Sequence, residues 1–402
     1  MLKNKVRKKH RIGVYLGVEP YVGGSFQYNQ SILSALAALP KESFEIVVFY
    51  KNDLWKEYLA NYSFLMKKTY DRRQLCDIFG AILFKIIVKC KMNLWRYKNI
   101  YARFSKFSHQ FDDEKLDLIL FPAQEIFPAM LNTKTVGVIH DLMHRYEKFP
   151  ESSSVFEFKW REYLYKNVCE SAEVIFVDSE VGKQHVIECY GDKYSDKIEV
   201  MPFTPPQYLF ENHEDILPSE VVLPDKFIFY PAQFWEHKNH KNLILATKKL
   251  KDKGINIQLI FVGSQKNGYK DAMELIRAND LEDNIHVLGY VSDSLMRILY
   301  KRARAIIMAS FCGPTNIPPL EGMAMGCPVA VSRVYAMPWQ VDDAGMTFDP
   351  HSIDEIAGTL EKLWLDDDLC KQMAVKGKER AKYFSQDNFN KRFQKAIIKI
   401  LG

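Results

Sequence analysis

The chain has 402 residues, of which 47% are hydrophobic, 13% aromatic and 26% charged. This length suits two ordinary domains, and the composition supplies an ample core, which excludes a disordered chain or a fibrous repeat. Lys and Arg together number 55 and Asp and Glu 50, so the formal net charge is only +5. This small surplus gives no reason to expect a nucleic-acid partner.

The cysteines and the N-terminus bear on the compartment. Seven cysteines, an odd number with no C-x-x-C pair, argue against a disulfide framework and favour a reducing, cytoplasmic location. The basic N-terminus precedes a short apolar run at 12–18 that contains two glycines, which predicts a first strand and not a signal peptide. No stretch reaches 18 uninterrupted apolar residues, so none is expected to span a bilayer.

Apolar runs rich in β-branched and aromatic residues alternate with helical patterns along the first half of the chain. The first run is followed by a glycine-rich turn at 23–25 and then by a helical pattern. Such alternation is typical of an α/β domain with a mainly parallel sheet. The predicted strands cover 12–18, 44–50, 117–123, 135–141 and 172–180, with a helix over 156–168 between the last two.

A stretch with five prolines and little periodicity, residues 201–226, interrupts this alternation and predicts an interdomain linker. The alternation then restarts. Two similar halves predict two doubly wound, Rossmann-like domains that face each other across a cleft, with ligands beyond the carboxyl ends of the strands. The second set of predicted strands is 227–233, 257–264, 285–291, 305–310 and 328–332, with helices from about 239, at 269–278 and at 293–302.

The predicted N-terminal domain covers 1–205, the C-terminal domain covers 206–380, and a final helix over 381–402 is expected to return to the first domain. A basic and apolar insertion occupies the region near 52–116. From residue 78 to residue 111 it contains seven bases and no acid, interleaved with bulky apolar residues. Two interpretations stay open: helices that lie on an anionic membrane surface, or an insertion packed on the domain with a solvated basic face.

The segment 310–332 is the most informative for chemistry. A strand ends at Ser310, Thr315 or Asn316 can cap a helix, and Pro318-Pro319 suit a first helical turn. This predicts a helix N-terminus at the end of a strand, a geometry that attracts phosphate. Glu321, in the opening turn, would be repelled by phosphate and suits vicinal ribose hydroxyls. Its alternative role is to complement the helix dipole.

This segment resembles the signature of the retaining glycosyltransferases of family 4 (glycosyl transferases group 1), which have the two-domain GT-B fold. The family has an E-x7-E pattern, a small-residue helix and a G-x-P-V strand. Glu321 matches the second glutamate, which in the family holds the donor ribose, whereas Gly313 stands where the first would be. The resemblance is to a branch with a G-P-T-N-I-P loop, which implies donor contacts by Thr315 and by the backbone amides of Asn316 and Ile317.

A second match lies at 229–244. The family usually has an arginine and, five residues on, a lysine, both facing the donor diphosphate. Lys238 fits the lysine, and Gln233 stands where the arginine would be. The resemblance gives Lys238 a leaving-group role, in which its ammonium neutralises charge as the sugar–phosphate bond breaks. The alternative is a solvated helix start made of the His and Lys residues at 237–241.

The remaining agreements with the family are weaker. The pair Gly23-Gly24 resembles the glycine loop that admits the donor phosphate, although an ordinary turn would look the same. His140 ends a strand that resembles the family's His-Asp strand, which implies a positioning role beside the reacting sugar. Gly263 falls in a loop near the nucleotide, and Tyr290 and Val291 are expected near the base.

Two groups of residues resemble metal ligands in type and spacing. His140 and His144 have i, i+4 spacing without an evident third ligand, and the aspartates at 366–368 suit a helix cap better than a metal site. The resemblance implies a metal-independent enzyme with no cofactor, in which the helix N-terminus and Lys238 replace the ion.

The sequence therefore predicts a retaining transferase that moves a hexose from a UDP- or GDP-linked sugar to a hydroxyl of a glycan or lipid-linked acceptor. The donor is expected in the C-terminal domain and the acceptor in the N-terminal domain, with His140, Lys238 and Glu321 as catalytic residues. The expected setting is bacterial surface polysaccharide synthesis, in the cytoplasm or peripherally on the cytoplasmic face of the inner membrane. The alternatives are a non-catalytic nucleotide-sugar-binding protein and a sugar-nucleotide epimerase.

Overall fold

The computed structural model describes residues 9–20, 23–60, 62–69, 78–149, 154–211, 216–313 and 315–402. The chain divides into two units. The first consists of residues up to 144 with 154–202 and 386–402, and the second of 145–153 with 203–385.

The first unit is built on a parallel sheet of seven strands in the order β3-β2-β1-β4-β5-β6-β7. The central strands are buried, because helices cover both faces of a parallel sheet. The strands are β1 (His10–Leu16), β2 (Phe44–Tyr50), β3 (Leu65–Lys68), β4 (Leu118–Leu120), β5 (Thr135–Val138), β6 (Val174–Val177) and β7 (Ile198–Val200).

Helices connect these strands and supply the rest of the core. The last helix of the chain packs against α1 in this unit, and the Gln386 amide donates a hydrogen bond to the Ser31 carbonyl at 3.0 Å. The helices among residues 23–190 are α1 (Gly23–Ala37), α2 (Leu54–Leu59), α3 (Ile78–Lys89), α4 (Lys98–Phe104), α5 (Lys106–Asp112), α6 (Met143–Tyr146), α7 (Val155–Ser171) and α8 (Glu180–Tyr190).

The second unit has a parallel sheet of six strands in the order β10-β9-β8-β11-β12-β13. Its strands are β8 (Ile228–Pro231), β9 (Leu259–Val262), β10 (Ile285–Gly289), β11 (Ala305–Met308), β12 (Val329–Ser332) and β13 (Gly345–Phe348). The helices from residue 240 onward are α9 (His240–Asp252), α10 (Tyr269–Ala278), α11 (Asp293–Arg302), α12 (Ile317–Met325), α13 (Met337–Val341), α14 (Ile353–Leu365), α15 (Asp367–Tyr383) and α16 (Gln386–Leu401), of which α16 belongs to the first unit.

The predicted fold class, two Rossmann-like α/β domains, is confirmed. The strands absent from the prediction are β3, β7 and β13, and each lies at an edge of its sheet. An edge strand pairs on one side only and need not be apolar, and β3 exposes all four of its residues, two of them lysines. Its sequence therefore lacks the apolar run that marks a central strand.

In the part of the chain that the structure covers, no helix is both long and apolar enough to cross a membrane.

Candidate active site

In the second unit, a loop connects the end of strand β11 to the start of helix α12. The Ser310 hydroxyl donates to the Cys312 carbonyl at 2.6 Å, and Gly313 follows with φ +113°. A Cβ at position 313 would also lie 3.1 Å from the Asn316 side-chain nitrogen. Backbone strain and crowding therefore favour glycine here, which gives a physical reason for the absence of the family's first glutamate.

Two residues singled out from the sequence, 78 positions apart, meet in this loop. The ammonium of Lys238 donates to the side-chain oxygen of Asn316 at 2.8 Å. Burial lowers the pKa of Lys238 below its ordinary value, against the smaller effect of Cys312. His240, two residues on, is buried, so the alternative of a solvated helix start does not hold for Lys238 and His240, although Lys241 is exposed.

Hydrogen bonds between loops fix the position of Lys238. The Phe311 amide donates to the His237 carbonyl at 2.8 Å. Asn239, in the left-handed region at φ 61°, caps α9 and donates through its side chain to the Ala309 carbonyl at 3.0 Å. The loops that follow β8 and β11 are thereby joined on both sides of Lys238.

Gln340 holds the backbone of Asn316. The amide N–H of Asn316 donates to the Gln340 side chain at 3.2 Å, and the Gln340 amide donates to the Asn316 carbonyl at 2.6 Å. Asn316 occupies the N-cap position of α12, but its side chain makes no capping hydrogen bond. Of the two candidate caps, Asn316 therefore does not cap α12 through its side chain, and its backbone amide, which was expected to contact the donor, donates to Gln340 in this structure.

The start of α12 offers fewer amide donors than expected. Of the first four helical positions, Pro318 and Pro319 have no N–H, which leaves Ile317 and Leu320. The run of bare amides that was expected to hold phosphate is therefore short, and the ammonium of Lys238 lies beside it, on the side chain of Asn316.

Glu321 was predicted within the first turn of α12, but it lies just past that turn, and it is 3% exposed. Tyr208 donates to its Oε1 at 3.1 Å, and Tyr300 donates to its Oε2. Burial raises the pKa of Glu321 to about 7, although both tyrosines act to lower it. Because Glu321 lies beyond the first turn and has two partners, the interpretation as a simple complement to the helix dipole is wrong.

The other predicted residues of the second unit follow the carboxyl ends of its strands. Gln233 is exposed after β8 and accepts from the Trp235 indole at 2.9 Å, and Gly263 follows β9 against the backbone of Ala232. Tyr290, 76% exposed, and the half-buried Val291 follow β10. Thr315, which is buried, follows β11 in the same way. All these residues thus lie at the carboxyl ends of the strands, where parallel sheets bind ligands.

In the first unit, His140 follows β5 and packs edge-on against Tyr28 of α1, with 4.8 Å between ring centroids. Burial lowers the pKa of His140 to about 4, against the charge of Asp141, so the imidazole is neutral at neutral pH. Gly23 and Gly24 are exposed at the start of α1, which follows β1. His140 and this glycine pair lie at the carboxyl edge of the first sheet.

Several residues of these sites escaped the sequence analysis. Tyr208, Tyr300 and Gln340 act through contacts with residues distant in the sequence, and no local pattern marks them. Asp366 caps α15 by accepting from the Leu369 amide at 2.8 Å, as predicted. Among the residues that the structure describes, no three His, Cys, Asp or Glu side chains form a group that could hold a metal ion.

The second unit matches a known protein family. Residues 213–380 match the family model described as Glycosyl transferases group 1, and this range contains Lys238, Asn316 and Glu321. The matched range covers less than half of the chain and lies within the second unit. The chain also superposes on sucrose-phosphate synthase from Thermosynechococcus elongatus with a TM-score of 0.70 and 15% identity, over 98% of this chain and 99% of that one. The predicted GT-B fold is thereby confirmed.

Curated relatives match more than half of the chain. O-antigen chain mannosyltransferase B of Escherichia coli is 26% identical over 250 residues, which is 60% of this chain and 64% of that protein. Serotype-specific mannosyltransferase WbdA of Escherichia coli is 25% identical over 270 residues, which is 63% of this chain and 32% of that protein. The chain thus spans less than two thirds of the length of these relatives.

Proposed function

We propose that this chain, which matches the Glycosyl transferases group 1 family model over residues 213–380, is a retaining glycosyltransferase. It moves a hexose from a UDP- or GDP-linked sugar to a hydroxyl of a glycan or lipid-linked acceptor in bacterial surface polysaccharide synthesis. The relatives named as O-antigen and serotype-specific mannosyltransferases support mannose as the hexose. The observation that carries the proposal is the contact of Lys238 with Asn316 at the start of α12, little more than one turn before Glu321.

Lys238 binds the donor diphosphate in this scheme. In the structure its ammonium is desolvated and contacts a neutral amide oxygen. An anion placed beside this charge is therefore attracted to it more strongly than it would be in water. As the bond from the sugar to the diphosphate breaks, negative charge grows on the leaving oxygen, and the fixed ammonium stabilises it. This positive charge takes the place of a metal ion.

Glu321 binds the donor ribose. Tyr208 and Tyr300 hold its two oxygens in place, and each carboxylate oxygen keeps a second lone pair for a ribose hydroxyl. Burial and the neighbouring carboxylate raise the pKa of both tyrosines, so they stay protonated and act as donors. The ribose therefore meets an acceptor whose geometry is already set.

Transfer then proceeds on one face of the sugar. The acceptor oxygen forms its bond to the anomeric carbon as the bond to the diphosphate breaks, and the leaving diphosphate oxygen takes the acceptor proton. The anomeric configuration is retained. His140, neutral at neutral pH, serves as a hydrogen-bonding group that positions the sugar and does not need to carry charge.

The proposal is tested in two stages. A thermal-shift panel of UDP- and GDP-sugars identifies the donor, since a ligand that binds only the folded state raises its apparent stability. The protein is then incubated with that donor and a glycan acceptor, and NMR of the product gives the anomeric configuration. Retained configuration supports the proposal, and inversion contradicts it. Binding without turnover would favour a nucleotide-sugar-binding protein, and a changed sugar without acceptor would favour an epimerase.

The location of the acceptor is a second part of the proposal: the first unit docks on an anionic membrane surface. Helix α3 exposes Ile78 (66%), Phe79 (78%), Ile82 (51%) and Ile86 (51%) on one face, while Ile87 on the other face is buried in the core. The insertion thus packs on the unit, as one interpretation held, but its outer surface is apolar as well as basic. The exposed bases of the same insertion are Lys85, Lys89, Lys91, Arg96, Arg103 and Lys106.

Apolar side chains at this surface enter the headgroup boundary, and each lysine or arginine near an anionic leaflet contributes about 1 kcal/mol. Flotation with vesicles that contain or lack anionic lipid tests this part. We expect co-flotation with anionic vesicles, loss of most of it in Phe79→Ser/Ile82→Ser, and no change in Val375→Ser, a control at a 72% exposed valine of the second unit. Equal behaviour of the double variant and the wild type would contradict membrane docking without touching the enzymatic proposal.

A further inference from the structure

A short stretch of the second unit is remote in sequence from the rest of that unit. Residues 145–153 belong to it, whereas its main part begins at residue 203. The structure describes residues 145–149 of this stretch, which we call the 145–149 segment. Its side chains contact the loops that follow β8, β11 and β12. The segment therefore packs on the same loops that hold the candidate site together.

Phe149 contacts two of these loops. Its ring stacks on that of Phe311, with 5.9 Å between centroids and 18° between planes, and its centroid also lies 5.9 Å from that of the His237 ring. The His237 carbonyl accepts a hydrogen bond from the Phe311 amide at 2.8 Å, and the next residue in the chain is Lys238. Phe149 thus packs on both residues of the hydrogen bond that fixes the loop of Lys238.

Glu147 contacts the third loop. Tyr335 lies between β12 and α13, and its hydroxyl donates to the Glu147 carboxylate. The ring of Tyr335 also packs edge-on against Tyr146, with 6.2 Å between centroids. Burial and the neighbouring Glu147 raise the pKa of Tyr335, so its hydroxyl stays protonated and available as a donor. The 145–149 segment therefore holds this loop through a hydrogen bond and a ring contact.

The backbone of Tyr335 is strained. Its φ of 50° lies in the left-handed region, which is unfavourable for a bulky residue and persists only where the surroundings enforce it. The contacts with Tyr146 and Glu147 provide that restraint. Five residues on, Gln340 makes the two hydrogen bonds that hold the backbone of Asn316. Backbone strain of this kind clusters at ligand sites, where it keeps the site in a binding geometry.

The contacts of the segment converge on one pair of residues. One route runs from Phe149 through His237 to Lys238, and the other from Tyr335 through Gln340 to Asn316. The pair itself is joined by the 2.8 Å hydrogen bond from the Lys238 ammonium to the Asn316 side chain. The attraction between an ammonium and a phosphate falls as their distance grows, so displacement of either loop weakens it.

We propose that Phe149, Glu147 and Tyr335 are positioning residues for donor binding: they hold the loops after β8, β11 and β12 so that Lys238 meets the donor diphosphate. They act through Lys238 and Asn316. This inference rests on the proposed glycosyltransferase function and extends its donor site to residues 147 and 149, which lie outside the range matched by the family model.

The test measures nucleotide binding by calorimetry with UDP and with GDP. The variants are Phe149→Ala, Phe149→Tyr, Tyr335→Phe, Glu147→Leu and Glu147→Gln, each at a temperature at which circular dichroism shows it folded. Two substitutions are matched controls. Phe156→Ala removes an 82% exposed ring of the first unit, and Glu282→Leu removes an exposed carboxylate of the second unit just before β10, at the amino edge of its sheet.

A second measurement separates positioning from general support of the fold. Phe149→Ala is also made in the Lys238→Ala background. If Phe149 acts through Lys238, its removal has nothing left to misplace there, so the two substitutions are strongly non-additive. A purely structural role of Phe149 gives the same fold-loss of binding in both backgrounds.

We expect Phe149→Ala to weaken binding of the nucleotide at least tenfold, and Tyr335→Phe and Glu147→Leu to weaken it at least threefold. Phe149→Tyr keeps the ring and Glu147→Gln keeps an acceptor oxygen, so both should stay within twofold of the wild type, as should the two controls. In the Lys238→Ala background, Phe149→Ala should add less than a twofold loss. Where Phe149→Ala does not fold, Tyr335→Phe, which lacks only a hydroxyl, takes its place in the same comparison.

Two results would overturn the inference and leave the proposed function standing: binding by Phe149→Ala within twofold of the wild type, or an equal loss in both backgrounds. A wild type that binds neither UDP nor GDP would contradict the proposed function itself, and the inference with it.

Discussion

The two units hold their polar groups in different ways. In the second unit, the charged groups have protein partners: Lys238 rests on Asn316, and Glu321 accepts from Tyr208 and Tyr300. In the first unit, burial shifts the pKa of His140 down to about 4 and that of Glu125 up to about 8, so both are neutral at neutral pH. In our proposed function, a charged diphosphate meets the charge of Lys238, whereas the sugar meets the neutral imidazole of His140.

The largest effect is expected where charge matters most. Lys238→Ala should lower kcat about 10²–10³-fold, the usual result of removing one group that stabilises charge in the transition state. Lys238→Arg should recover part of the activity, because the charge remains. Lys241→Ala, at an exposed lysine of the same helix start, is the control and should stay near wild-type activity. Steady-state rates of Lys238→Ala within threefold of the wild type would contradict the proposed role of the Lys238 charge and, with it, the contrast between the two units.

The pH dependence of donor binding tests the role of Glu321 in the second unit. Since the pKa of Glu321 is about 7, its ionised fraction rises as the pH goes from 6 to 8. The donor affinity measured by calorimetry should therefore rise over this window, and Glu321→Gln should bind about tenfold more weakly at pH 8 with a flat profile. Tyr300→Phe removes a donor to the carboxylate, so it should raise the pKa of Glu321 and move the rise in affinity to higher pH. Identical profiles in all three proteins would contradict the role of Glu321.

The turn at Gly313 gives a smaller, structural prediction. Gly313→Glu would restore the family's first glutamate, but at φ +113° it should lower stability by about 1–3 kcal/mol and bring no gain in transfer. Denaturant unfolding and initial rates check both statements. A folded variant with raised activity would show that this turn can accept the glutamate after all.

His140 is expected to make the stability of the folded protein depend on pH. Its pKa is lowered to about 4 in the folded protein from an ordinary value near 6.5, so the unfolded chain binds a proton that the folded chain does not in this range. The free energy of unfolding should therefore decrease as the pH falls from 6.5 towards 4, and the decrease should be smaller in His140→Gln. Equal slopes in the two proteins would mean that His140 is not buried in its neutral form.

The strands and helices that were predicted from the sequence are those whose burial leaves a local sequence pattern. The apolar run 44–50 and the helices over 269–278 and 293–302 were predicted with the bounds that the structure has. Burial on both faces of a sheet leaves a continuous apolar run, and burial along one helix face leaves a periodic pattern. The edge strand at 65–68 leaves none, because all its residues are exposed.

The candidate site was predictable only in part. Lys238 and Glu321 could be singled out through the family resemblance, but their partners could not. Tyr208 is 113 residues away from Glu321, and nothing in the proline-rich stretch around it signals a contact. The same holds for Gln340, whose hydrogen bonds to the backbone of Asn316 overturned the expected role of that amide.

The most direct test of the central claim is a crystal structure of the protein with a nucleotide diphosphate bound. The account predicts a phosphate oxygen within about 3 Å of the Lys238 ammonium, in place of or beside Asn316, and the ribose hydroxyls on the carboxylate of Glu321. A nucleotide bound elsewhere, with Lys238 still resting on Asn316 alone and Glu321 on its two tyrosines alone, would contradict it.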